Sequence, residues 1–365
     1  METRTNLAQV RGRRGMPASE LARLAGVSRQ TIYSIESGEY VPNTALALGL
    51  ARILEVRVED LFSLQPESPS APKPTRAELL KSDSVGVKKG DPVQFCRVGK
   101  RPIAVPAGAQ PLTLPLADGI VVNQKARIAQ VQLFPDSDDA KRLLIAGCDP
   151  GISLLARHLD LVIAPSTSQQ ALEWLKQGKV HVAGTHLRDS STGEYNLPAI
   201  DRMFARGSVK VVTFAIWEQG LVIASGNPKN IRGVEDLARK NIRIVNRETG
   251  AGSRGLLDEQ LARAGIDPQN VRGYDRVAPG HLPAALAVSL NEADCCIATR
   301  SAARAFGLSF IPLAVERYDL VIRREHARSA AVEAMLDTLN RAVIRRKLEI
   351  LAGYDTSRTG EVLLT

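Results

Sequence analysis

Arg29, Gln30, Tyr33 and Ser34 recur on one side of a short amphipathic stretch whose other side carries Ile32 and Ile35. At that spacing the first set faces outward and the second faces a core. A guanidinium can bond guanine through two parallel hydrogen bonds, and a carboxamide can do the same with adenine. Arg29 and Gln30 are therefore candidates for direct reading of DNA bases, with Ser34 as a weaker neighbour. A second chemically competent group is Arg247, Thr249, Gly250, Gly252, Ser253 and Arg254, set between an apolar strand and a helix. Glycines let backbone amides converge and arginines supply full charges, a combination that holds anions. Gly250, Gly252 and Gly255 also fit the G-x-G-x-x-G pattern of a dinucleotide site, with Asp275 twenty residues after Gly255. Such a fingerprint opens the first strand–helix unit of its domain, whereas comparable units precede this one. No GxxxxGK[ST] phosphate loop is present.

The elements that must position the first group run from Ser19 to Gly38, SELARLAGVSRQTIYSIESG. The first helix stops at Gly26, the residue best suited to a left-handed C-terminal conformation. Val27 plugs the core, and the Ser28 hydroxyl can cap the second helix. Residues 5–62 resemble the Cro and lambda-repressor helix-turn-helix family (XRE type). The pattern continues through Glu36-Ser37-Gly38, Pro42, Leu46 to Leu54, and Val58-Glu59-Asp60-Leu61-Phe62. The resemblance implies five short helices around one small core, with the second motif helix in the major groove of double-stranded operator DNA. It carries base contacts onto Arg29, Gln30 and Ser34. Where the family has a polar cap and a phosphate contact, this chain has Pro17 and Ala18. Thr31, Arg11, Arg13 and Arg14 are the candidates to replace that phosphate contact. The alternative for the whole segment is a helical protein-interaction module with a solvated arginine face.

A chain of 365 residues with a formal charge of +9 has room for two or three domains. Residues 1–64 hold eight arginines against seven acids, so most of the positive excess lies beyond them. Net charge favours a polyanionic partner without locating the surface that meets it. No apolar run approaches 20 residues and no leader pattern follows Met1, which points to a cytoplasmic protein without membrane insertion. Cys96, Cys148, Cys295 and Cys296 make no CxxC pair and the five histidines lie apart, so the expectation is buried thiols and no metal site. A redox role for Cys148 or for the adjacent Cys295-Cys296 pair is the alternative.

Pro66, Pro69, Pro72 and Pro74 spell a linker over 65–92. Short runs rich in β-formers, VQFCRV, RPIAVP, GIVVN and IAQVQLF, then read as a small β-rich module over 93–140. From 141 to 365 the rhythm becomes strand, small polar turn, helix, in LLIAGCDPGISLLARHL, LVIAPSTSQQALEWLKQG and VHVAGTHLRD. That is an α/β signature, in which ligands collect beyond the carboxyl ends of strands.

Residues 142–352 resemble the periplasmic-binding-protein-like domains of cytoplasmic regulators, related to molybdate and tungstate binding proteins. The resemblance rests on AGCDPGISLLA, HVAGTHLRD with GEYN, NRETGAGSRGLLDEQL, and EADCCIATRSAARAFGLSFIPL followed by ERYDLVIRR. It implies two α/β lobes, crossed near 213–220 and 312–318, closing on a ligand. Lobe one would hold 141–214 plus the C-terminus. The family's oxyanion ligands carry over onto Cys148, Ser166, Thr167, Thr185, His186, Thr249, Ser253 and Arg254. Helix capping by Ser166 or Thr167, a structural hydrogen bond for His186 and a solvated charge for Arg254 are the competing roles. Asp149, next to Cys148, disfavours an anion unless it points away.

The expected protein is thus multidomain: an all-α head, a β-rich module and a two-lobed α/β domain. Its expected function is transcription regulation by a homodimer on DNA, sensing a small oxyanion, molybdate or tungstate, with no cofactor. The alternatives are an enzyme of molybdenum-cofactor or dinucleotide metabolism carrying a DNA-binding head, and a sensor fold kept only for dimerisation. No paired carboxylates or serine–histidine–acid order supports an enzyme.

Overall fold

The computed structural model describes residues 3–64, 73–81, 86–108, 116–135, 142–189 and 191–364. They form two compact units, divided after Lys73.

The first unit holds helices α1 (Leu7–Arg13), α2 (Ala18–Ala25), α3 (Arg29–Glu36), α4 (Thr44–Ile53) and α5 (Val58–Leu61). Strand β1 (Thr3–Thr5) pairs antiparallel with β2 (Phe62–Leu64) and so joins the two ends of the unit. Local chemistry sets the helix boundaries. Gly26 ends α2 at φ +68°, and its amide donates back to the carbonyls of Ala22 and Arg23. Ser28 Oγ caps α3 by accepting from the Thr31 amide at 3.0 Å, and Asn43 Oδ1 caps α4 through Leu46 at 2.9 Å. Leu7, Leu21, Ile32, Ile35, Leu50, Leu54 and Leu61 are buried together in one core. Each such side chain contributes roughly 1.5–3 kcal/mol, which lets helices too short to persist alone hold a fixed angle.

The second unit begins with a closed five-stranded barrel, β3 (Thr75–Leu79), β4 (Pro92–Val98), β5 (Arg101–Pro106), β6 (Gly119–Lys125) and β7 (Ile128–Leu133), in the order β3-β5-β4-β6-β7. Ala77, Leu79, Val93, Phe95, Ala104, Val121, Ala129 and Val131 fill it. The segment expected as linker over 65–92 therefore supplies the first barrel strand. Burial of Ala77 and Leu79 decides this against the proline-rich composition just before them. Pro66, Pro69 and Pro72 lie outside the described residues, and Pro74 is exposed.

A nine-stranded sheet follows: β8 (Leu143–Gly147), β9 (Leu161–Pro165), β10 (Val182–Thr185), β11 (Val209–Ile223), β12 (Ile244–Arg247), β13 (Val277–Ala278), β14 (Cys295–Thr299), β15 (Ser309–Arg323) and β16 (Val362–Leu364). β9, β8 and β10 pair in parallel in lobe one, and β13, β12 and β14 in lobe two. The 15-residue strands β11 and β15 pair antiparallel along their whole length and run through both lobes. The expected crossing segments, 213–220 and 312–318, are their central stretches, with register shifts at Thr213/Ala215 and Gln219/Gly220.

Helices α6 (Ser168–Lys176) and α7 (Leu197–Met203) cover lobe one, and α8 (Gly252–Arg263), α9 (His281–Ser289) and α10 (Arg300–Ala305) belong to lobe two. The C-terminal helices α11 (Ala330–Asn340) and α12 (Ala342–Lys347) return to the core of lobe one through Met335, Leu339 and Ile344. After β8, the expected helix is a 3-10 turn over Pro150–Arg157, capped by Asp149.

The barrel is fused to lobe one. Cys96, Val98, Ile103 and Val105 share a core with Leu144, Val162 and Trp174. Arg142 ties Asp118 to Asp160, and Lys179 meets Glu78.

Candidate functional sites: the helix-turn-helix face and the interlobe cleft

On the head, α3 presents Arg29, Gln30 and Tyr33 to solvent, with Thr31 and Ser34 half-buried. Arg29 Nη2 donates to Tyr33 Oη at 2.7 Å, and the guanidinium lies 5.2 Å from the ring centroid. Tyr33 thus keeps Arg29 extended along the helix surface. The Ser28 hydroxyl is occupied by its cap and by Thr31 Oγ1 at 2.8 Å. Arg13 is exposed. Arg14 reaches the Glu55 carbonyl at 3.2 Å while staying exposed. Arg11, expected as a phosphate contact, is committed elsewhere. Its Nε and Nη2 donate to Glu36 at 2.6 and 3.1 Å and Nη1 to the Met16 carbonyl at 2.9 Å. The hydrogen bond to Glu36 holds its pKa above the usual arginine value, and the pair fastens α1 to α3.

In the second unit, Cys148 follows β8, Ser166 follows β9, Thr185 ends β10 and His186 follows it. From lobe two, Arg247 ends β12, Ser253 lies in the first turn of α8, and His281 opens α9. His186 is the centre. Its Nε2 lies 3.4 Å from Cys148 Sγ and its Nδ1 is 2.9 Å from Glu316 Oε2. Gln219 Nε2 lies 3.0 Å from that Nδ1 and also donates to Glu316. Trp217 stands edge-on to His186 and His281, at 5.0 and 5.5 Å between ring centroids. Gly147 and Gly184 are glycine for a steric reason: the Tyr318 hydroxyl occupies the space a Cβ would need at either one.

The lobes meet here. A Cβ on Gly252 would lie 2.6 Å from His186 Nδ1, and one on Gly250 only 3.1 Å from Gln169 Oε1. Arg188 donates to both Glu259 carboxylate oxygens, at 2.7 and 2.9 Å, joining lobe one to α8. The glycine turn that fits a dinucleotide fingerprint is therefore packed against Gln169 and His186, and Asp275 is exposed.

Several polar groups in the cleft are buried without a partner among the described residues: Ser166 Oγ, Thr185 Oγ1, Ser253 Oγ, Arg247 Nη1 and both ring nitrogens of His281. Buried polar groups are ordinarily bonded, so this concentration is the chief anomaly of the domain. Arg247 is fully buried, and its Nε donates to Glu248 at 3.0 Å.

Three candidates do not join this group. Thr249 is exposed. The Thr167 hydroxyl caps α6 by accepting from the Gln170 amide at 3.1 Å. Arg254 lies 4.0 Å above the Tyr274 ring and 3.4 Å from Asp258 Oδ1, drawn along its own helix by an i,i+4 acid. Asp149 turns Oδ1 to the Tyr354 hydroxyl at 2.7 Å and to the Gly151 amide at 2.6 Å.

Burial opposes a charge on His186, but the Cys148 sulfur and the Glu316 carboxylate outweigh it and raise the pKa to about 10. Burial pushes Asp149 up to about 7 against those two hydrogen bonds. Burial, then Arg247 and His186, hold His281 well below the ordinary histidine value. Burial also raises Cys295 and Cys296, leaving them inert thiols.

Sequence reasoning missed His281, Trp217, Gln219, Glu316 and Tyr318. The last four belong to the crossing strands, where period-2 alternation sets Trp217 with Gln219, and Glu316 with Tyr318. His281 directly follows Gly280, which has φ +105°.

A family model described as a PBP superfamily domain matches residues 153–340, and a helix-turn-helix model matches 7–61. The chain belongs to the PBP superfamily-domain family. Its head is an XRE-type helix-turn-helix domain. The PBP-like chain is 36% identical to the uncharacterized protein YvgK of Bacillus subtilis (strain 168) over 235 residues, which is 63% of this chain and 76% of that protein. The head is 42% identical over 64 residues to an uncharacterized HTH-type transcriptional regulator of Archaeoglobus fulgidus, covering 18% of this chain and 91% of that protein. Among solved structures, the sulfate-binding protein SubI from Mycobacterium tuberculosis H37Rv aligns with 59% of this chain and 85% of its own, at 19% identity and a TM-score of 0.45. Among the described residues, no helix is long and apolar enough to cross a membrane.

Proposed function

We propose that this PBP-like, helix-turn-helix chain is a one-component cytoplasmic transcription regulator whose interlobe cleft binds a small oxyanion, molybdate or tungstate. One observation carries the anion reading: Ser166 Oγ, Thr185 Oγ1, Ser253 Oγ and Arg247 Nη1 are buried at the lobe interface with no partner among the described residues, while the rest of the Arg247 guanidinium is held by Glu248. Hydroxyls and a guanidinium surround an anion without adding competing negative charge, and the ends of β9, β10 and β12 are where such a guest settles. Molybdate and tungstate are named on the resemblance of the AGCDPG, GTHLRD and TGAGSR motifs to their binding proteins.

The head reads the operator through Arg29, Gln30 and Ser34, with Ser28, Thr31, Tyr33, Arg13 and Arg14 positioning it on the backbone. A homodimer presents two such helices to half-sites roughly 34 Å apart, or a multiple of that. Closure around the anion changes the spacing of the two heads. The switch works only as far as the anion prefers one state. No step of this scheme is catalytic.

Titration calorimetry of dialysed protein with molybdate, tungstate, sulfate, phosphate and NAD tests the reading, repeated on Arg247→Met. A charge-assisted hydrogen bond is worth about 1.5–3 kcal/mol, so the variant should bind the effective anion roughly 10- to 150-fold more weakly. Heat from NAD alone, or from none of the five, overturns the proposal.

A further inference from the structure

Cys148, His186 and His281 use three separate elements to bring one thiol and two imidazoles together. Their donor atoms all lie within 4.8 Å of one another. In a tetrahedral site with metal–sulfur and metal–nitrogen bonds of about 2.3 and 2.0 Å, the sulfur–nitrogen edge is about 3.5 Å. Cys148 Sγ and His186 Nε2 are 3.4 Å apart.

His186 is also oriented as a ligand is. Its Nδ1 faces the Glu316 carboxylate at 2.9 Å, with Gln219 beside it, which leaves Nε2 as the presented nitrogen. Carboxylate–histidine pairs of this kind fix the ring and strengthen the metal bond. The independent observation is His281. It is 1% exposed and neither ring nitrogen has a partner among the described residues, although an imidazole excluded from water ordinarily bonds at least one.

We propose that Cys148, His186 and His281 hold one late first-row transition-metal ion of the zinc class, which links lobe one to lobe two. A thiolate with two imidazoles selects such an ion over the hard, oxygen-seeking cations, and three ligands leave a fourth position open. The buried cation nearby, Arg247, is offset by Glu248 at 3.0 Å, while the thiolate and Glu316 carry the compensating negative charge. Two ligands come from lobe one and the third from α9 in lobe two, so the ion favours the closed arrangement. The inference goes beyond the anion reading and takes no metal ligand from Ser166, Thr185, Ser253 or Arg247.

The test is titration of the full chain, stripped with a chelator, with Co²⁺ and then Zn²⁺. The expected result is one equivalent of Co²⁺ with an intense thiolate-to-metal charge-transfer band, displaced by Zn²⁺. Cys148→Ser should lose the band, and His281→Gln should weaken binding by roughly 100-fold or more. His158→Gln, an exposed histidine away from the group, should titrate as the parent does. Circular dichroism of each variant checks folding, and Cys148 is only half-buried, so serine is tolerated there. Absence of the charge-transfer band in the parent, or unchanged affinity in both folded variants, overturns the site. Anion calorimetry on the stripped protein is read separately, so failure of the metal site leaves the oxyanion reading standing, and the reverse.

Discussion

Ligand sites built from unpartnered buried donors should show opposite signs in stability and affinity, and the triple variant Ser166→Ala, Thr185→Val, Ser253→Ala tests this. Ser166 is 6% exposed and Thr185 and Ser253 are fully buried, yet none of the three hydroxyls has a partner among the described residues. A buried hydroxyl left unsatisfied costs about 1–3 kcal/mol. Thr185→Val keeps the side-chain shape, and alanine at 253 suits the first turn of α8. Taking the low end for each, the triple variant gains about 3 kcal/mol in the ligand-free state. For a unit spanning Pro74–Thr365, that raises Tm by about 6 °C. Each lost hydrogen bond to a charged anion costs at least about 1.5 kcal/mol of binding, so affinity should fall by roughly three decades. Differential scanning calorimetry on exhaustively dialysed protein reads the first quantity and isothermal titration the second. A ligand-free triple variant less stable than the parent would show that the hydroxyls serve a structural role, and unchanged anion affinity would remove them from the site.

The head offers two further tests. Arg29→Ala should relax discrimination at one base position by about 1–3 kcal/mol, read by competition binding across operator variants; a uniform loss over all sequences would make Arg29 a backbone contact instead. Gly26→Val forces a β-branched residue to φ +68° and should cost the head about 1–3 kcal/mol in urea titrations, whereas a neutral result would mean the turn relaxes. A pH prediction concerns His181, whose Nδ1 accepts from the Leu144 amide at 3.0 Å and whose pKa is pushed down to about 4 by burial and His326. The unfolded chain binds that proton more tightly, so stability is full above about pH 6.5 and declines as pH falls toward 4. Between pH 7 and 5 the loss is about 2 kcal/mol, and His181→Asn, which keeps an acceptor, should flatten that limb of the urea midpoint against pH.

Much of the head was legible because its signals are local. Gly26, Ser28 and the Ile32/Ile35 spacing fix a turn, a cap and a buried face within a few residues of one another. The strand-to-turn rhythm likewise marked the ends of β9, β10 and β12, where Ser166, Thr185 and Arg247 lie. Composition misled at 65–92, because the proline cluster ends at Pro74 while the alternation that buries Ala77 and Leu79 just after it is only five residues long. Arg11 and Arg254 looked available because a sequence shows charge without its partner. Glu36 and Asp258 with Tyr274 had already engaged them.

By itself, then, the chain determined its helical head, its β-rich module and its α/β domain, the outward-facing residues of α3 and the turns that could hold an anion, since each depends on neighbours within one turn or one strand. Only the tertiary structure decided that Cys148, His186 and His281 converge, that Glu316 orients His186, and that Thr249 and Arg254 stand aside. Those outcomes follow from the closing of two lobes along β11 and β15, which brings together side chains far apart in sequence and strips water from donors that no group among the described residues then satisfies.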